Sequence, residues 1–156
     1  MRIENKGFTL LEVLFALLIS GSLLVLSLRL LTDQWRAAKE IKDRQEIQYA
    51  LLTAGETITT AIRSAQTVQS PKPGVLEILP WSEAGYFKAD LYYIADKDYD
   101  GIPDLYCEHL GVPNPVANRI TSLLCTEVEP SLWQITFQAR MNQQQTTWQG
   151  LIRRRT

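Results

Sequence analysis

Residues 1–32 of the chain read MRIENKGFTLLEVLFALLISGSLLVLSLRLLT, a short polar leader followed by a long apolar run. Between residues 8 and 31 the only charged side chains belong to Glu12 and Arg29. About 24 residues of helix extend over roughly 36 Å, and a bilayer core of about 30 Å needs about 20 apolar residues. The run therefore predicts one membrane-spanning helix.

Three other interpretations of the run explain it less well. A cleaved secretory signal has a shorter apolar region, roughly 7–15 residues, with a small-residue cleavage site directly after it. A buried core helix rarely stays uncharged on every face over such a length. A plain signal anchor does not account for Glu12, because a carboxylate inside a membrane span is costly and marks a functional position.

The segment around Glu12 resembles the processing motif of type IV pilins and pseudopilins. The residues that carry the resemblance are Lys6-Gly7-Phe8-Thr9-Leu10-Leu11-Glu12-Val13-Leu14. In that family, a prepilin peptidase cuts after the Gly and methylates the new N-terminal residue, and the fifth mature residue is Glu. The resemblance implies cleavage of the leader 1–7 after Gly7, methylation of Phe8 and an assembly role for Glu12.

The resemblance also implies which molecules this protein meets. In the family, the assembly carboxylate pairs with the N-terminal ammonium of a neighbouring subunit, which exists only after cleavage. The implied partners are prepilin peptidase, other pilin or pseudopilin subunits, an inner-membrane assembly platform and membrane lipid. No small-molecule substrate is expected, and nucleic acid as a partner stays open.

The charges that flank the span and the family resemblance predict opposite orientations. Two basic residues precede the span, whereas five follow it closely: Arg29, Arg36, Lys39, Lys42 and Arg44. The positive-inside rule alone would leave the C-terminal part in the cytoplasm. The resemblance implies a cytoplasmic leader and a periplasmic domain, and its motif is the more specific signal. We therefore expect a single-pass inner-membrane protein that enters a pilus or pseudopilus.

The helical pattern continues beyond the apolar run. Residues 33–70 contain no Pro and a single Gly, and Pro71 and Pro73 follow as a strong stop. One apolar face recurs at helical spacing: Ile47, Leu51, Ala54, Ile58, Ile62 and Ala65. We predict one helix whose half 8–31 lies in the membrane or filament core, and whose exported half 32–70 packs on the following domain. A separate surface helix after a kink is the alternative.

Residues 71–156 are expected to form one small β-rich domain. Apolar residues alternate with polar ones from Trp133 to Ala139, which is the clearest strand pattern. Residues 142–145 are typical of a hairpin tip, so strands 132–141 and 146–153 should pair antiparallel. Further strands are predicted at 75–79, 90–95 and 120–128. A long helix on a mostly antiparallel sheet is an α+β fold, which is also the layout of a pilin.

A second informative stretch is DKDYDGIPD, residues 96–104. Its carboxylates and Gly101 resemble the start of an EF-hand-type calcium loop, inserted here between strands. Position twelve of the loop is Cys107, and Glu108 could substitute for the missing carboxylate. The predicted ligands for Ca²⁺ are Asp96, Asp98, Asp100, the Ile102 carbonyl, Asp104 and Glu108. The alternative is a solvated Asp-Gly turn.

The remaining reactive residues suggest no catalytic set. Cys107 and Cys125 are the two cysteines, and in an exported domain such a pair suggests a disulfide, with buried free thiols as the alternative. His109 is the only histidine, too few for a zinc site with Cys107 or for a catalytic triad. Residues 153–155 are three arginines that could touch phosphates, although a solvated terminus explains them equally simply. We expect a protein that is not an enzyme.

Together, these features predict a minor pilin or pseudopilin, most similar to subunits of the initiating tip. One alternative is a minor pseudopilin of a type II secretion system. Another is a membrane-anchored calcium-binding module outside any fibre. Adhesion, twitching, secretion and DNA uptake in competence stay open as the wider role.

Overall fold

The computed structural model describes residues 9–81, 88–142 and 144–155. These residues form one helix, α1 (Leu10–Arg63), and eight strands. The strands are β1 (Ala65–Lys72), β2 (Val75–Pro80), β3 (Asp90–Ala95), β4 (Asp104–His109), β5 (Val112–Ala117), β6 (Ile120–Glu129), β7 (Leu132–Met141) and β8 (Gln144–Arg153). The chain divides into two compact units, Met1–Lys42 and Asp43–Thr156.

The first unit contains the apolar part of α1. This part is long and apolar enough to cross a membrane, and its apolar window is not buried inside the protein. Side chains such as Leu14, Leu18 and Leu24 are more than half exposed. Such exposure on every face is unfavourable in water but suits lipid or neighbouring helices. The helix therefore fits a single-pass membrane anchor.

The second unit buries the striped face of α1. Five of the predicted positions are buried within it: Ile47, Leu51, Ala54, Ile58 and Ile62. Fully burying an Ile or Leu side chain contributes about 1.5–3 kcal/mol, so this face holds the helix on the domain. The predicted helix–domain packing is confirmed.

The helix ends earlier than the sequence pattern suggested. We expected helix up to residue 70, but α1 ends at Arg63 and residues 65–72 form β1. Burial alternates along β1, and Thr67 and Val68 are β-branched residues that favour strands. β1 is an edge strand, so the missing N–H of Pro71 is tolerated there. Gly74, at φ 78°, then turns the chain into β2.

The strands form two antiparallel sheets. One sheet has the order β1-β2-β3-β4-β5 and the other the order β6-β7-β8. The predicted strands correspond to β2, β3, β6, β7 and β8, and the β7–β8 hairpin pairs Phe137 with Trp148 as part of its register. β4 and β5 were not predicted. β5 carries Pro113 and Pro115 and lies at a sheet edge, where proline is accepted. The α+β fold class is confirmed.

One aromatic side chain connects the helix with the second sheet. Trp148 of β8 packs beside Phe137, with ring centroids 5.6 Å apart. A Cβ placed on Gly55 of α1 would lie 2.7 Å from Cε2 of Trp148, and one on Gly150 would lie 2.5 Å from its Cη2. Both positions must therefore be glycine for the Trp148 indole to occupy this position. The core around it contains Ile135 and other buried residues of helix and sheets.

Candidate assembly and cation-binding sites

The carboxylate of Glu12 caps the helix to which it belongs. Its Oε2 accepts hydrogen bonds from the backbone N of Thr9 at 3.0 Å and from Oγ1 of Thr9 at 3.1 Å. In return, the backbone N of Glu12 donates to Oγ1 of Thr9 at 3.3 Å. This reciprocal arrangement is a capping box, which satisfies amides that lack partners in the first turn. The positive end of the helix dipole also favours a carboxylate there.

The Glu12 carboxylate, which is unfavourable in a membrane span, therefore has hydrogen-bond partners within its own subunit. All three bonds use Oε2 or the Thr9 hydroxyl, so Oε1 takes no part in the cap. Gly7 and Phe8, the predicted cleavage and methylation residues, lie outside the described residues. By sequence, an ammonium on Phe8 would directly precede the capping residue Thr9.

Thr9 is a capping residue that the sequence analysis did not single out. The signal was present, because Thr9-x-x-Glu12 before an apolar run has the spacing of a capping box. Two other hydroxyls of the apolar segment, those of Ser22 and Ser27, bond to their own helix. Oγ of Ser22 donates to the Ile19 carbonyl at 2.8 Å, and Oγ of Ser27 donates to the Leu23 carbonyl at 2.9 Å. These side chains are thus compatible with an apolar surrounding.

Three of the predicted calcium ligands converge. Carboxylate oxygens of Asp96, Asp98 and Asp100 lie within 4.8 Å of one another, on exposed side chains. Oδ2 of Asp96 accepts from the backbone N of Gly101 at 3.0 Å, and Gly101 has φ 80°. Gly101 therefore provides the sharp turn that the loop pattern requires. Within residues 9–81, 88–142 and 144–155, this is the one group of three or more potential metal-binding side chains.

Asp104 lies outside this group because β4 begins with it. Its side chain is buried, and its Oδ1 accepts from the backbone N of Arg119 at 2.7 Å. Burial raises the pKa of Asp104, and the nearby charges of Asp98 and Asp100 raise it further. Arg119 in turn lies 3.9 Å from a carboxylate oxygen of Glu46 on α1. Asp104 thus joins the loop exit to the turn before β6, a contact between distant residues that no local pattern predicts.

Glu108 is also separate from the three aspartates. Pairing of β3 with β4 places it opposite Leu91, well along the strand. Its Oε2 accepts a hydrogen bond from the Tyr93 hydroxyl at 3.3 Å. Nζ of Lys97 donates to the same hydroxyl at 2.5 Å and lies 5.0 Å from the centroid of the Tyr93 ring. The lysine of the loop is thereby held on an aromatic surface.

The predicted disulfide is not formed in the structure. Cys107 lies in β4 and Cys125 in β6, in different sheets, and both are free and half-buried. Burial raises the pKa of both thiols, that of Cys125 to about 12. Cys107 lies directly opposite Tyr92 of the neighbouring strand.

His109 is hydrogen-bonded to an aspartate on the neighbouring strand. Its Nδ1 lies 2.6 Å from Oδ1 of Asp90, and its side chain is mostly exposed. β3 and β4 hold the two residues side by side at the end of the sheet. This partner explains the position of His109 without zinc.

One comparison with known proteins finds a similarity, in the N-terminal segment. Residues 4–28 match the family model of the prokaryotic N-terminal methylation motif. No curated protein and no solved structure matches the chain. The matched range contains Gly7, Phe8 and Glu12. This motif lies at the start of a long helix whose later part packs on antiparallel sheets. Together these features support similarity to the type IV pilin and pseudopilin family.

Proposed function

We propose that the chain is a minor pilin or pseudopilin, cleaved after Gly7, methylated on Phe8 and incorporated through α1 into a type IV pilus-like fibre or its initiating tip. The observation that carries this proposal is the capped Glu12 carboxylate inside the matched methylation motif. The role is assembly and not catalysis. The domain formed by residues 43–156 is periplasmic in this proposal, and the subunit docks on an inner-membrane assembly platform.

Cleavage changes the electrostatics of the helix start. Before cleavage, the Glu12 carboxylate is bonded by Thr9 of its own helix. Cleavage creates an ammonium on Phe8, which can pair with Oε1 of Glu12 in a neighbouring subunit. Two unit charges about 4 Å apart attract by about 4 kcal/mol at an effective dielectric of about 20. The attraction grows in lipid, where water does not compete. The ion pair would therefore favour neighbouring subunits in which the Phe8 ammonium of one lies beside Glu12 of the other.

The test compares Glu12→Gln with Glu40→Gln in cells that assemble the fibre. Glu40 is an exposed carboxylate further along α1, so both variants lose one charge. We expect both to insert and to be processed, and Glu12→Gln alone to disappear from isolated fibres. Normal incorporation of Glu12→Gln would contradict the assembly role and favour an anchored module outside any fibre. Recovery of the wild-type subunit with pili or with a secretion system separates the minor pilin from the type II minor pseudopilin.

We also propose that Asp96, Asp98 and Asp100 bind Ca²⁺. Their convergence within 4.8 Å supports this, because like charges at such distances repel by about 1 kcal/mol per pair even in water. Ca²⁺ takes about 6–8 oxygen ligands, so the Ile102 carbonyl and water would complete the shell. Asp104 and Glu108 would stay with their present partners.

Calorimetry on the full chain in detergent micelles tests this second proposal. Ca²⁺ should release heat and raise the melting temperature, and a chelator should reverse both effects. Asp98→Asn should weaken binding at least tenfold, whereas the exposed helix variant Glu56→Gln should bind like the wild type. Identical isotherms for Asp98→Asn and Glu56→Gln would refute the site, and the fibre proposal would be unaffected.

A further inference from the structure

A basic and aromatic patch lies at the C-terminal end of α1. It is a cleft of about 550 Å³, lined by Thr60, Arg63, Ser64, Trp81 and Arg155. Trp81 is 69% exposed. Its backbone N donates to the Ser64 carbonyl at 3.4 Å. The indole is therefore attached to the helix end and presented to solvent.

The arginines around the patch differ in what they contact. Arg153 is 3.3 Å from Oε2 of Glu129. Arg154 donates to the Gln66 carbonyl, and its second nitrogen donates to Oγ of Ser131 at 3.2 Å. These contacts anchor the C-terminal segment beside β1, and the anchored segment places Arg155 in the cleft.

Two guanidinium groups line the cleft. Over residues 9–81, 88–142 and 144–155, Arg63 and Arg155 form no ion pair with a carboxylate. Arg63 lies in the last turn of α1, where a cation also complements the helix dipole. That effect uses the charge of Arg63 and not its N–H donors.

We propose that this patch binds single-stranded nucleic acid, with a base stacked on Trp81 and phosphates held by Arg63 and Arg155. An exposed indole beside basic side chains is the combination by which proteins bind single strands without sequence preference. Guanidinium groups match the geometry of phosphate oxygens better than lysines do. The hydroxyl group of Thr60 can donate to the same backbone, whereas Oγ of Ser64 donates to the Thr60 carbonyl at 2.9 Å.

A lipid surface is the competing partner, and the patch suits it less well. Membrane-binding faces combine basic residues with several apolar side chains that enter the headgroup boundary. Among the residues that the structure describes, one exposed aromatic ring lines the cleft together with hydroxyl and guanidinium groups. The formal net charge of the chain is −1, so attraction to a polyanion must be local to the patch.

Fluorescence anisotropy with a labelled oligothymidylate tests the proposal on the full chain in neutral detergent micelles. Binding should weaken with salt, with a slope of about −1.4 in log–log form for two neutralised phosphates. Arg63→Gln with Arg155→Gln should abolish most of this slope. Trp81→Ala should weaken binding about fivefold or more through lost stacking, and Trp81→Phe should restore part of it.

Arg140→Gln is the matched control. Arg140 is an exposed arginine near the hairpin end of β7, opposite the end that borders the patch. It should bind the oligonucleotide like the wild type. Equal loss in Arg140→Gln and in the patch variants would overturn the proposal, as would binding to phosphatidylglycerol vesicles without binding to the oligonucleotide. Thermal melts by circular dichroism establish that each variant is folded, and the charge-preserving pair Arg63→Lys with Arg155→Lys should retain the salt slope.

Discussion

Gly55→Ala should destabilise the domain, although alanine is the better helix former. Gly55 lies in the buried part of α1. Replacing glycine with alanine inside a helix ordinarily stabilises it by about 1 kcal/mol. Here the new Cβ would lie 2.7 Å from Cε2 and 2.8 Å from Cζ2 of Trp148. Those distances are too short for carbon atoms, so the indole must move.

The size of the effect follows from two opposing terms. Inserting a methyl group into a packed site costs about 1–3 kcal/mol, because Trp148 also packs against Phe137. Subtracting the gain in helix propensity leaves a net loss of about 0–2 kcal/mol in the free energy of unfolding. In a Trp148→Leu background the steric term disappears. There the same substitution should stabilise the domain by about 1 kcal/mol, so the sign of the effect reverses.

A double-mutant cycle measures this reversal. Urea unfolding of the four proteins in detergent micelles can be followed by far-ultraviolet circular dichroism, which does not depend on the tryptophan signal. The predicted coupling energy between the two positions is about 1–3 kcal/mol. Gln48→Ala on the exposed face of the same helix is the control and should show almost no coupling. An effect of Gly55→Ala that is equal in both backgrounds would refute the proposed seat of the indole.

Three further predictions concern local contacts. Thr9→Ala should remove the capping box and cost about 1 kcal/mol at the helix start, seen as faster amide exchange over residues 10–12 in micelles, while Thr9→Ser should preserve protection. Cys107 and Cys125 should react slowly with iodoacetamide at pH 8 in the folded chain and rapidly in urea, because burial raises both pKa values and keeps the thiols protonated. The stability that protonated Cys125 contributes is complete below its unfolded pKa and is lost as pH rises towards about 12. If no thiol is detected in urea without reductant, the two cysteines form a disulfide and the prediction is wrong. Asn142→Ala should destabilise the domain more than Asn142→Gly in urea melts, because both lose the 2.6 Å bond to Oδ2 of Asp43 but only alanine resists φ 55°; equal losses would contradict this.

Periodicity predicted those parts of the fold in which one face of an element is buried over several turns or pairs. The helix stripe from Ile47 to Ile62 and the alternation in β7 are of this kind. β1 was missed because Ala65 fits both the helix stripe and the strand. Pairing of its residues with β2 decides between the two, and that pairing is a tertiary effect. β4 was missed because Asp104, Leu105 and Tyr106 are buried in succession and show no alternation.

The candidate sites also differ in how far the local sequence predicts them. The Asp96–Asp100 spacing predicted a convergence that depends only on local turns, and the structure contains it. The extension of that site to Glu108 depended on where the exit strand pairs, and the register with β3 places Glu108 elsewhere. The patch at the helix end unites Arg63, Trp81 and Arg155. Residues so far apart in sequence carry no joint signal until the fold is known.

The Glu12 carboxylate has hydrogen-bond donors in its own subunit and, in the proposed fibre, a cationic donor in a neighbouring subunit. In the single subunit, the Thr9 amide and hydroxyl donate to Glu12, so the charge is tolerable at the edge of the membrane. The capping bonds are already charge-assisted, because their acceptor is a carboxylate, and in the proposed fibre an ammonium of a neighbouring subunit adds a full opposite charge. Because Oε1 takes no part in the capping bonds, the ammonium can bind before the cap is released. A Thr9→Ala subunit would therefore insert less stably but should still respond to cleavage, whereas Glu12→Gln would lose that response.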